Sequence, residues 1–105
     1  KLQTTIFKKL YNKSKSFIEE YQFGVGGVYS ADIYNSELNL IIEVNGPTHY
    51  LENGELNQDS KIKCDLMERM GYKVIIIKYT DWYRMDKMEK DKYIDSLISL
   101  KKIKI

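Results

Sequence analysis

The chain has 105 residues, 43% hydrophobic and 30% charged, with a net charge of +2; this length gives one compact core and leaves no room for a second domain. Cys64, the only cysteine, has no partner for an internal disulfide, and no spaced Cys/His set suggests zinc, so the composition reads as intracellular. No apolar run approaches the roughly 20 residues of a membrane span, and the chain opens without a signal-peptide pattern and without methionine, as a piece cut from a longer polypeptide would.

The charge is segregated. Residues 1–18 carry five Lys and no acid, residues 19–72 three basic against ten acidic side chains, and residues 73–105 nine against five. Basic ends around an acidic middle suit a polyanion binder with a carboxylate-containing site, and equally a solvated Lys-rich surface.

From Leu2 to Tyr21, apolar residues at Leu2, Ile6, Leu10, Phe17, Ile18 and Tyr21 fall near helical spacing and predict one helix or two pieces. Phe23-Gly24-Val25-Gly26-Gly27 breaks it as a loop or an edge. Tyr29 to Tyr34 and Leu38 to Asn45 predict an antiparallel hairpin turning at Asn35-Ser36-Glu37. Alternation places Tyr29, Ala31 and Ile33 opposite Ser30, Asp32 and Tyr34, and Leu40, Ile42 and Val44 opposite Ile41, Glu43 and Asn45. Gly46-Pro47 stops the strand, and a polar loop runs to Gln58.

Asp59 or Ser60 then caps a helix to Met70, with Ile62, Leu66 and Met70 on one face and Gly71 as the stop. Tyr72 to Tyr79, centred on Val74-Ile75-Ile76-Ile77, reads as a strand covered by helices on both faces. After Thr80-Asp81-Trp82, Asp86 caps a last helix whose Tyr93, Ile94, Leu97 and Ile98 face the core.

Asp32 and Glu43, across a hairpin and followed by a helix with Lys61 and Lys63, have the layout of a cation-dependent nuclease: hard oxygens hold Mg²⁺, which activates water, and lysine stabilises developing negative charge. The alternative is a pair of ordinary strand carboxylates facing solvent.

The run Ile41-Ile42-Glu43-Val44-Asn45-Gly46-Pro47-Thr48-His49-Tyr50 sharpens this. Preceded by Tyr29-Ser30-Ala31-Asp32-Ile33 and followed by Lys63, Met67, Gly71-Tyr72-Lys73-Val74 and Tyr79 to Trp82, it resembles the RAP domain, an RNA-binding module abundant in apicomplexan parasites, over roughly residues 28 to 100. The resemblance implies a fold similar to the PD-(D/E)XK nucleases of very-short-patch-repair type. It also implies a place at the C-terminal end of a longer protein and a role in organellar, typically mitochondrial, RNA or rRNA processing and stability. The family's aspartate falls on Asp32, its glutamate on Glu43, and its glycine, proline and histidine on Gly46, Pro47 and His49. Its second aspartate is here Asn45, where nucleases of the superfamily commonly place lysine, so the catalytic centre looks incomplete. Lys61 or Lys63 could fill in from the next helix, or contact phosphate.

His49, the single histidine, suits a general acid/base, a stacking ring or a hydrogen-bonded structural residue. Trp82 suits a stacking ring or a core anchor. Tyr34, Tyr50 and Tyr83 are further stacking candidates, and Cys64 is a small packed residue.

The expected architecture is α/β, a restriction-endonuclease-like core with a small mixed sheet of four strands or fewer flanked by helices, in the order α-β-β-β-α-β-α or close to it, over residues 1–105. The expected function is RNA binding where the Asp32 and Glu43 strand ends meet the helix. Expected contacts are Lys61, Lys63, Arg69, His49, Tyr50, Lys78, Trp82 and Arg84, with Lys73 behind them, and no cofactor is needed. One rival is an endoribonuclease using Asp32, Glu43, Asn45 and Lys63, with Mg²⁺ or Mn²⁺ on Asp32 and Glu43. Another is a protein-interaction module of an RNA-processing assembly.

Overall fold

In the computed structural model residues 1–99 are described; the last six residues of the expected 1–105 domain lie outside them. The elements are α1 (Leu2–Lys13), β1 (Phe17–Phe23), β2 (Tyr29–Asn35), β3 (Leu40–Asn45), α2 (Gln58–Arg69), β4 (Lys73–Lys78), α3 (Tyr79–Arg84) and α4 (Lys87–Ile98). They form one mixed sheet in the order β1-β2-β3-β4, antiparallel except for the parallel β3/β4 pair. The mixed α/β class and the four-strand sheet match expectation.

The helix predicted as far as Tyr21 stops at Lys13, and Phe17–Phe23 is a strand. Phe17, Ile18 and Tyr21 fit helical spacing by coincidence; six cross-strand pairs with β2, from Phe17–Asn35 to Phe23–Tyr29, decide the outcome. The hairpin turn is a little longer than predicted. Asn35 Oδ1 accepts the Leu38 amide at 3.0 Å, Asn39 takes a left-handed φ of 51°, and Leu38 drops into the core while β3 begins at Leu40.

The sheet separates two apolar clusters. On one face Ile6 and Leu10 of α1 and Ile94 and Leu97 of α4 pack with Phe17, Ile33, Leu40, Ile42, Ile77 and Trp82. On the other, Met67 of α2 packs with Phe23, Ala31 and Ile41, beside the half-buried rings of Tyr21, Tyr34 and Tyr72. Ala31 and Ile33 were expected on one face, yet they belong to different clusters. Phe17 and Tyr21 are divided in the same way on the neighbouring strand. Between them on β1, Glu20 takes a left-handed φ of 58°, a local break in the regular alternation of that strand.

β4 packs on both faces as expected, Val74 with the α2 cluster and Ile75 and Ile77 with the α1/α4 cluster, but as an edge strand it leaves Val74, Ile75 and Ile76 half-buried and only Ile77 buried. Two further readings are corrected. On α2, Ile62 and Met70 are exposed at 56% and 43%. The stripe that turns inward is Ser60, Lys63, Cys64 and Met67, because this helix roofs a polar cavity as well as a core. Asn57, not Asp59 or Ser60, caps the helix by accepting the Ser60 amide, and Gly71 (φ 98°) ends it as expected. Asp86 caps α4 in a full capping box with Glu89, also as expected. The short helix α3 has no counterpart in the sequence reading.

Candidate nucleic-acid interface

The site begins where the sheet forks. The β2/β3 ladder ends at Ile33–Ile42, while β2 stays paired with β1 to Tyr29 and β3 with β4 to Asn45–Lys78. Asp32 and Glu43 stand at the fork and replace the missing ladder bonds with side-chain ones. The Asp32 amide donates to Glu43 Oε2 at 2.8 Å, and the Val44 amide donates to Asp32 Oδ2 at 2.8 Å. The Asp32 carbonyl accepts from Gln3 of α1 at 3.4 Å. Parting strands leave backbone groups that must be paired when buried, and two carboxylates do part of that work here.

Lys63 reaches in from α2, placing Nζ 2.7 Å from Glu43 Oε1; Glu43 is 6% exposed. Glu43 and Lys63 therefore meet at the cavity wall, and Asp32 joins them through the bonds of the fork rather than by lining the cavity. Burial, then the adjacent Glu43 charge, pushes the Asp32 carboxyl above its ordinary value of 3.8; the Val44 amide, Lys63 and His49 oppose this without cancelling it.

Beyond Glu43 lies a cavity of about 270 Å³ between the end of β3 and α2. Glu43, Asn45 and His49 line it from the strand side, and Asp59, Ser60, Lys63 and Cys64 from the helix, over a floor of Met67 and Ile76. His49 Nδ1 lies 2.9 Å from Ser60 Oγ, and Asn57 bridges the two walls by accepting the Ser60 amide and donating to the Thr48 carbonyl at 2.9 Å. Asn57, Asp59 and Ser60 were not foreseen as site residues. For Ser60 a signal was present in the spacing of Ser60, Lys63, Cys64 and Met67, one helical stripe that is half polar. Burial, then the Glu68, Glu43 and Asp65 charges, pushes the Cys64 thiol up, in keeping with a packed residue.

The residues present do not fit a ready Mg²⁺ or Mn²⁺ site. Both Glu43 oxygens already face a donor, the Lys63 ammonium and the Asp32 amide, and Asp32 Oδ2 holds the Val44 amide. Asn45 supplies no charge, and the described residues contain no cluster of three His, Cys, Asp or Glu that could hold a metal.

Of the expected RNA contacts, His49 and Lys63 share the cavity. Tyr50 and Lys78 meet next to it: the Lys78 ammonium sits 4.5 Å over the Tyr50 ring, donates to the Gly54 carbonyl at 3.3 Å, and Tyr79 lies beside the same ring. Lys78 and Arg84 also line a neighbouring cleft of about 300 Å³ with Ile76 and Tyr93. Lys61 and Arg69 are exposed and off the inward stripe of α2, with Arg69 on Asp65 at 2.7 Å, and Lys73 is exposed at the start of β4. Trp82 is corrected: at 2% exposure it belongs to the α1/α4 core and has no open face for a base. Tyr34 stacks on Tyr21 with centroids 3.9 Å apart, and Tyr83 stands 65% exposed on α3.

No helix of the described residues is long and apolar enough to cross a membrane. No curated protein matches the chain. Residues 42–97, more than half of the sequence, match the RAP domain, a segment that begins one residue before Glu43 and holds β4, all of α2 and α3, and nearly all of α4. The chain therefore belongs to the RAP domain family and is an RNA-binding module.

Proposed function

We propose that the chain binds single-stranded RNA across the mouth of the β3/α2 cavity, as a module of organellar RNA processing or stability. One coincidence carries this reading: every residue that lines the cavity, from Glu43 to Ile76, lies inside the segment that matches the RAP domain. The positive groups that would hold a phosphate backbone lie around that mouth rather than in it. Lys61 follows Ser60 on the exposed side of α2, Lys78 sits over Tyr50, and Arg84 lines the adjoining cleft.

Binding of labelled single-stranded RNA should weaken steeply with added salt, and Lys61→Glu with Lys78→Glu should lower affinity about tenfold or more at low salt. Gel shifts that stay negative at low salt would favour the protein-interaction reading instead. The mitochondrial setting rests on the family resemblance, and imaging of the tagged full-length protein tests it.

Metal-dependent cleavage is a second reading, drawn from the convergence of Asp32, Glu43 and Lys63. Intact RNA after incubation with Mg²⁺ or Mn²⁺ is the expected result. Cleavage that disappears in Asp32→Ala and Glu43→Ala would reverse the ranking.

A further inference from the structure

We infer that the β3/α2 cavity holds one unpaired nucleobase and favours bases with an exocyclic amino group over uracil; this rests on the RNA-binding reading and adds what the site reads. Its charge argues against a phosphate. Glu43 and Asp59 face a single ammonium, that of Lys63, which is already held on Glu43 at 2.7 Å. A phosphodiester placed there would meet two carboxylates, and like charges at such range repel strongly away from bulk water.

A base meets the same walls differently. Met67 and Ile76 offer apolar surface to its ring, while the polar groups offer both acceptors and donors, with Asp59 the acceptor at the rim. The Asp59 carboxylate, exposed at the rim and in no ion pair among the described residues, can accept an amino N–H. The Lys63 ammonium, 38% exposed, can donate to a ring nitrogen or carbonyl. Adenine, cytosine and guanine each carry an amino group near a ring acceptor. Uracil has one N–H flanked by two carbonyls and no amino group, so a carboxylate that accepts that N–H also meets a carbonyl oxygen on either side of it, and a site built for hydrogen bonds disfavours a ligand that meets them with repulsion. Asn45, 3% exposed and lining the cavity with Glu43, offers both an acceptor and a donor to the base edge.

The test is fluorescence anisotropy of the whole chain with labelled oligo(A), oligo(C) and oligo(U) of about 12 nucleotides, at low salt. Oligo(A) and oligo(C) should bind about tenfold tighter than oligo(U), the size of one well-made hydrogen-bonded base contact. Asp59→Ala should bring the three within about twofold of one another without weakening oligo(U), and Cys64→Leu, which fills the cavity, should do the same. Thermal melts establish that each variant folds; should Cys64→Leu not fold, Asp59→Ala decides alone. Equal affinities in the unsubstituted chain, or a preference that survives Asp59→Ala, would overturn the base pocket and leave RNA binding standing. Failure to bind any of the three would overturn both.

Discussion

Asp32 and Glu43 are clamped to each other's strands: the Asp32 amide donates to Glu43 Oε2 and the Val44 amide, one residue past Glu43, donates to Asp32 Oδ2, both at 2.8 Å. The two acids that resemble a nuclease signature thus seal a fork in the sheet. The same bonds hold the wall of the cavity in place, so on the proposed reading the acids support RNA binding through architecture rather than cleavage.

Glu43→Ala leaves the Asp32 amide without its acceptor beside the buried sheet. The expected cost is about 1–3 kcal/mol, with little added from Lys63, which keeps contact with water. Glu43→Gln retains an acceptor for the amide and should cost less. Urea unfolding of the three proteins checks the order; equal midpoints for Glu43→Ala and the parent would remove the clamp from the account.

Asp32 makes a pH-dependent contribution of known sign. Burial and the Glu43 charge raise its folded-state value above 3.8, so the folded protein holds the proton more tightly than the unfolded chain. Its contribution is therefore fully present below 3.8 and is lost as pH rises through the folded value. Asp32→Asn keeps an oxygen for the Val44 amide and cannot ionise. The stability difference, variant minus parent, should grow with pH over the range from about 3 to 7; a difference that stays flat across denaturant midpoints would contradict the assignment.

Tyr72 holds its phenolic proton well beyond the ordinary range. Its hydroxyl lies 3.0 Å from that of Tyr21, and this hydrogen bond, then burial, pushes it up to about 12. The unfolded chain would lose this proton near 10, so the stability tied to it is present below that pH and disappears as pH climbs toward 12. Ultraviolet titration of tyrosinate should show a late phase that Tyr72→Phe abolishes and Tyr21→Phe moves to lower pH.

Trp82 separates a core role from a binding role. Trp82→Ala should cost about 3–5 kcal/mol, whereas Trp82→Phe should cost less and leave RNA affinity unchanged once folding is verified by circular dichroism. A folded Trp82→Phe protein with markedly weakened RNA binding would return the residue to the interface.

Much of the chain could be read from local signals. Asp86 with Glu89, Gly71, the glycines after Phe23 and the Asn35 turn each act within a few residues, and each lies where local chemistry puts it. The motif around Glu43, Asn45 and His49 pointed to the strand end that borders the cavity for the same reason. Elements whose fate depends on distant partners were misread. Phe17–Phe23 follows helical spacing but pairs with β2, the apolar stripe of α2 faces outward, and α3 exists because Trp82 has a core to enter.

The sequence by itself determined the strand and helix inventory from β2 onward apart from α3, the RAP motif and the candidate acids, since these depend on propensity, capping and residue order. Tertiary structure alone decided what the acids do and what the cavity can hold. A carboxylate becomes a clamp, a ligand or a surface charge according to which amides and ammonium groups stand within about 3 Å of it, and those neighbours come from β2, β3 and α2, which only the folded sheet brings together.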